Sequence, residues 1–141
     1  MLVFALVGSM SMAIIAGASV PFKGSGNGQI TGVQPGPTGV LMSGVATGQA
    51  THLGEYTRTE NILLNPANGT FTGDVTFTAA NGDQLTADIS GAFTSAATAS
   101  GSYTFTGGTG RFANAAGTAL FAIVLTDQVH FTVEFSGSLN N

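Results

Sequence analysis

The chain contains no cysteine and no tryptophan, and only three of its 141 residues are basic: Lys23, Arg58 and Arg111. Without cysteine, disulfides and thiolate metal sites are excluded; the absence does not assign a redox compartment, because exported proteins also do without it. Three cations in a chain of net charge −4 cannot form a stripe that neutralises phosphates, which excludes nucleic acid as a partner. Charged side chains are 7% of the sequence, against about 25% in ordinary domains, so the surface must be built from uncharged polar groups, chiefly serine and threonine. His52 and His130 are the two histidines. His130 shares a strand face with Glu134, but four residues at about 3.3 Å each hold the pair about 13 Å apart, too far to grip one metal ion. No Gly-x-Ser-x-Gly elbow is present, which disfavours a serine nucleophile. Neither a metal nor an organic cofactor is expected.

One long apolar run exists, at the N-terminus. Residues 1–22 carry no charged side chain, Leu2 to Ala18 are nearly all apolar or small, and Ala16-Gly17-Ala18 precedes Ser19. Small residues at the −3 and −1 positions fit a signal-peptidase site, so residues 1–18 read as a cleaved signal peptide and 19–141 as one domain, secreted or periplasmic. If retained, the segment would be the chain's membrane contact, at the short end of what spans a bilayer.

The remainder alternates. Phe71, Gly73, Val75, Phe77 and Ala79 fall on one face, with Thr70, Thr72, Asp74, Thr76 and Thr78 on the other; this is the period of a half-buried strand. Asn81-Gly82 follows as a hairpin turn. Leu85, Ala87, Ile89 and Phe93 continue the pattern, as do Tyr103 and Phe105, and then Val129, Phe131, Val133, Phe135 and Leu139. Earlier, Phe22 to Val33 is a glycine-broken strand ended by Gln34-Pro35-Gly36-Pro37. Val40 to Leu64 is a long segment expected to bend near Gly48 or Gly54, or to divide in two. Thr118 to Leu125 is apolar on both sides, which suits a more buried strand or an interface. Seven or eight antiparallel strands joined by short turns close most simply into a small up-and-down β-barrel, an all-β fold.

Gly107-Gly108-Thr109-Gly110-Arg111-Phe112-Ala113 also fits the glycine fingerprint of dinucleotide-binding folds. That fingerprint requires a following helix and a further parallel strand, whereas the sequence after it alternates as strands. The glycines at 107, 108, 110 and 117 therefore read as a corner where a strand bends and re-enters the sheet, with Phe112 plugging the core. A membrane-spanning barrel would turn the Phe/Val faces to lipid; the lack of tryptophan, the two tyrosines and strands nearer seven residues than ten weigh against it.

The segment Gly107-Gly108-Thr109-Gly110-x-Phe112-x-x-Ala115-x-Gly117 resembles the late-strand motif of the allene oxide cyclase and dirigent proteins. The chain is also similar to bacterial exported proteins that combine this corner with Thr51-His52-Leu53-Gly54 and an Ala79 to Asp83 hairpin. The resemblance implies an eight-stranded antiparallel barrel with an apolar interior, often trimeric in the plant families. No catalytic segment of those families has a match in this sequence.

Candidate ligand-binding residues are His52, Tyr56, Arg58 and Arg111. His52 is placed on a strand face with Ala50, Gly48 and Ala46, small residues that would leave room beside an imidazole. Arg111 is expected to pair with Glu55 or Asp88, to donate to free carbonyls of the corner, or to face a ligand anion at the barrel mouth. Three functions fit: an exported non-enzymatic barrel that binds a small apolar molecule or another envelope component; a cofactor-free cyclase or isomerase, as the resemblance implies; or a structural protein assembling into homo-oligomers. A cavity above about 300 Å³ lined by His52, Tyr56 or Arg58 would favour the cyclase, and a barrel filled to its axis would leave the structural reading.

Overall fold

The structure, a computed structural model, describes residues 19–141; the segment 1–18, read above as a signal peptide, lies outside the described residues. Eight strands follow one another: β1 (Ser19–Gly36), β2 (Gly39–Ala50), β3 (Gly54–Asn65), β4 (Thr70–Thr78), β5 (Gln84–Phe93), β6 (Thr98–Gly108), β7 (Ala116–Leu125) and β8 (His130–Asn140), with a single 3₁₀ turn at Gly110–Phe112 before β7. Each strand is antiparallel to its chain neighbour. β8 returns to pair with β1 from Ser19↔Asn140 to Gln29↔His130, so the sheet closes into an up-and-down barrel. Closure pairs the strands that would otherwise be open edges.

The long Val40–Leu64 segment divides in two. Thr51, His52 and Leu53 form the turn, His52 adopts a left-handed φ of 66°, and Leu53 tucks into the core at 1% exposure. At the same end of the barrel the Asn81-Gly82 hairpin forms as its residue types require: Gly82 N–H donates to Ala79 O at 2.9 Å and Asp83 N–H to Asn81 Oδ1 at 3.0 Å. Both contacts are the turn chemistry that asparagine and glycine supply.

The period-two pattern resolves into an apolar inside and a hydroxyl-rich outside. Phe71, Val75 and Phe77 of β4, Leu85, Ala87 and Ile89 of β5, Tyr103 and Phe105 of β6, and Phe131, Val133 and Phe135 of β8 are all buried, while Thr70, Thr72 and Asp74 are exposed. This is the reverse of a lipid-embedded barrel, whose apolar face points outward. Strand length does not make that distinction, because the strands run from 9 to 18 residues and are longer than the sequence pattern suggested. In β7 Ala119 and Phe121 are buried and Ile123 and Leu125 face inward above them, but Leu120 on the outer face is 71% exposed, so the strand is half-buried despite its continuous apolar run.

Ring-to-ring contacts fill most of the interior. Phe22 meets Phe105 edge-on at 5.0 Å, Tyr56 meets Phe77 at 5.4 Å, and Tyr103 stacks on Phe121 at 4.9 Å. Such pairs each add about 0.5–1.5 kcal/mol beyond area burial. Space for them comes from small inward residues on β1 and β2. Tyr56 reaches past Gly48, its cross-strand partner on β2, and its hydroxyl donates to Ser25 O of β1 at 3.1 Å. Gly26 is the residue that permits this: a Cβ there would stand 2.4 Å from Tyr56 Oη and 2.7 Å from Thr47 O.

The glycine corner closes one end of the barrel. Phe112 is fully buried under it, and Thr109 locks it to β5 by a reciprocal pair, its N–H donating to Gln84 O and its Oγ1 accepting from Gln84 N–H, both at 2.9 Å. Gly110 has φ 57°, and a Cβ on it would meet the Asp83 carboxylate at 2.2 Å. The corner is thus a strand connection packed on the hairpin opposite, as its glycines imply, and no helix follows it.

The close approach at Gly26 makes a stability prediction. Gly26→Ala should lower the unfolding free energy by about 1–3 kcal/mol, the usual effect of forcing an extra methyl into a packed core. Urea unfolding of the two proteins measures it, and equal midpoints would show that Tyr56 is not held against β1.

Candidate functional site

The alternation that places Ile62 and Leu64 inside β3 also places Glu60, Arg58 and Tyr56 inside, since residues two apart share a face. Arg58 is accordingly buried in a predominantly apolar barrel, at 1% exposure. An unpartnered guanidinium there would be strongly destabilising. Its partners are complete on three sides: Nε donates to Glu60 Oε1 at 2.7 Å, Nη2 donates to the same oxygen, and Nη1 donates to Tyr103 Oη at 2.5 Å. Its carbon Cζ also lies 5.5 Å from the ring centroids of both Phe77 and Tyr103, within reach of their negative faces.

This network governs the titration of its members. Burial alone would favour loss of the Arg58 proton, but Tyr103 and Glu60 outweigh it and hold the guanidinium more firmly charged than usual. Burial pushes the Tyr56 hydroxyl up to about 12, with Arg58 opposing the rise. Tyr103 is also raised, again by burial and against the pull of Arg58.

Above Arg58 the filling stops. Between the network and the end that carries the β5–β6 and β7–β8 loops, the barrel holds a cup of about 50 Å³ with walls that include Ile62, Phe71, Ile89, Ala99, Ile123 and Phe131, and with Glu60 on its surface. Ser43 also lines the cup, but its hydroxyl is engaged with Asn61 at 3.1 Å. Both Arg58 hydrogen bonds to Glu60 fall on Oε1. Among the described residues Oε2 accepts none, and it is not sealed in, since the single sealed and unpaired side-chain atom among them is Asn140 Oδ1. The Glu60 side chain is 11% exposed, and the residue lines the cup.

At the rim, the β7–β8 loop is shaped by Asp127. Its carboxylate accepts the backbone N–H of Val129 and of His130, each at 2.7 Å, and these donors draw it down to about 2. His130 Nδ1 sits 2.9 Å from the same side chain.

The four candidates from the sequence do not converge. Tyr56 and Arg58 lie in the filled core beneath the cup. His52 is not on a strand face beside Ala50, Gly48 and Ala46; it is exposed in the β2–β3 turn at the closed end, with Nε2 3.1 Å from Pro21 O. Turn geometry broke the alternation that the strand placement assumed. Arg111 is also at the closed end and half-exposed. It donates through Nη2 to His52 O, stacks 4.9 Å from the Phe112 ring, and has Asp83 at 4.0 Å as its carboxylate in place of Glu55 or Asp88. It does donate to a backbone carbonyl, but to one in the β2–β3 turn and not to one of the glycine corner as the sequence suggested. Glu60 and Tyr103 were not singled out from sequence, although the period-two run back from Leu64 through Ile62 carries straight to Glu60.

No family model matches this chain, and no curated protein does. Among solved structures it is similar to a pterocarpan synthase dirigent protein, with a TM-score of 0.64 and 14% identity over 96% of this chain and 97% of that one. The class defined by the fold is the closed eight-stranded antiparallel barrel, and within that class its fold resembles that of a dirigent protein.

Tyr56 and Tyr103 are the only tyrosines, so tyrosinate absorbance reads these two buried rings alone. At pH 10, where a free tyrosine is half ionised, the folded protein should show almost none. The folded state holds the Tyr56 proton to about pH 12 while the unfolded chain releases it near 10, so the associated stability is complete below pH 10 and declines between 10 and 12. Half-ionisation at pH 10 in the still-folded protein would contradict the burial of both rings. Separately, Tyr103→Phe leaves Nη1 of Arg58 without an acceptor and should cost about 1–3 kcal/mol in denaturant unfolding; an unchanged midpoint would remove Tyr103 from the network.

Proposed function

We propose that this protein is an exported, non-enzymatic barrel that binds one end of a small apolar molecule in the cup at its open end. The observation that carries the reading is the contrast inside the barrel. Rings fill it from the corner to Arg58, and beyond them an apolar space opens to solvent. A core selected only for stability would be filled, because voids in it are destabilising. The cup is much smaller than the roughly 300–1,000 Å³ that encloses a drug-sized ligand. It therefore admits a leading group while the remainder lies along the rim near Met42 and Leu125. The structural likeness to a dirigent protein supports a binding role for the interior.

A cyclase or isomerase is the second reading, favoured by the Glu60 carboxylate on the cup wall, a group able to move a proton. The binding reading is preferred because the space falls short of about 300 Å³ and because His52, Tyr56 and Arg58 do not line it. Export rests on residues 1–18, and a homo-oligomer on the resemblance.

Benzene, an apolar ring that can enter the open cup by its leading edge, tests the proposal. At about a hundred times its Kd it should raise the unfolding free energy by about 2.7 kcal/mol. Ala99→Leu, which fills the cup from its wall, should fold and lose that gain. No stabilisation of the native protein at benzene saturation, or equal stabilisation of both proteins, would refute the cup as the site.

A further inference from the structure

Resting on the cup as the binding site, the geometry points to the chemical class of its occupant: we infer an apolar molecule whose leading end donates a hydrogen bond, a protonated amine or a hydroxyl on an aliphatic or aromatic body. Among the residues lining the cup, one side-chain polar atom is open and unpaired, Glu60 Oε2. A carboxylate oxygen is an acceptor and cannot donate. A wholly apolar ligand can occupy the cup but leaves Oε2 without a protein or ligand partner, so it binds more weakly than one of similar size that donates to that oxygen.

An acid-headed ligand is opposed for two reasons. Its carboxylate would meet that of Glu60 in an apolar space where repulsion is poorly screened. The nearest cation gives no relief, because Arg58 already spends Nε and Nη2 on Glu60 and Nη1 on Tyr103 and lies sealed beneath the cup. Arg58 instead acts through Glu60: it fixes Oε1, and so fixes the direction in which Oε2 presents its lone pairs. A donor arriving there completes a chain running from ligand to Glu60, Arg58 and Tyr103.

The test compares hexylamine, 1-hexanol and hexanoate on the native protein by calorimetric titration. About 0.3 M salt screens the long-range effect of the chain's net negative charge. Hexylamine and 1-hexanol should both bind more tightly than hexanoate, the amine by about tenfold or more, the usual scale of a hydrogen bond to a charged group. In Glu60→Gln the cup can present an amide N–H, so the preference for the amine over hexanoate should collapse to within about threefold or reverse, while benzene binding persists and reports an intact cup. Hexanoate binding as tightly as hexylamine to the native protein, or an unchanged ratio in a Glu60→Gln protein that still binds benzene, would overturn the inference and leave the cup itself standing. Failure of benzene to bind the native protein would instead remove the cup. Should Glu60→Gln not fold, the order of the three ligands on the native protein decides.

Discussion

A guanidinium sealed inside a barrel is the constraint on which the rest of this structure turns. Removing a charge of that kind from water is so unfavourable that its surroundings must be organised around it. Arg58 meets the requirement with a carboxylate two residues along its own strand, a phenol from β6, and two ring faces. Each partner is then committed. Tyr103 must point inward where it also stacks on Phe121, and Glu60 must turn one oxygen down toward the arginine. The other oxygen is left facing the open end. Pairs of this type add little net stability over a well-packed apolar replacement, but removing one member strands the other. The network therefore fixes an arrangement more than it strengthens the fold.

Size complementarity is the second organising feature. A small closed barrel has room along its axis for few large side chains. Here the small inward residues of β1 and β2, such as Gly26 and Gly48, face the rings and the arginine that β3, β4, β6 and β8 contribute. Tyr56 spans the gap and ties its hydroxyl to the β1 backbone. Deep in the barrel this distribution gives tight packing. Toward the open end the rings of Phe71, Phe93 and Phe131 share the wall with aliphatic residues such as Ile62, Ile89 and Ala99, and between them the cup is left. The corner at Gly107–Gly117 and the turn holding Leu53 cap the opposite end, so one mouth is closed by chain and the other stays open.

Most of the fold was legible in the sequence. Strict alternation in β4, β5, β6 and β8 identified both faces of each strand, and Asn81-Gly82 identified a hairpin. The glycines of the corner read correctly as backbone geometry because no helical period follows them. What failed did so where periodicity stops. His52 lies two residues past the end of β2, in a left-handed turn that discards the alternation used to place it. Arg111 could be assigned to a carbonyl, but its carboxylate partner depended on which hairpin the corner would fold against. Leu120 shows that an apolar run does not reveal burial on both faces when the outer face of a strand merely lacks polar residues.

An all-β chain, an apolar and a polar face to each strand and a glycine corner between two late strands all follow from residue type and local period. The meeting of Arg58, Glu60 and Tyr103, the level to which the barrel is filled and the oxygen that Glu60 leaves without a partner among the described residues come instead from the closure of the sheet. Arg58 and Tyr103 stand 45 residues apart. Their contact is set by how the closed sheet brings β3 and β6 to face each other across the axis, a relation that no local pattern encodes.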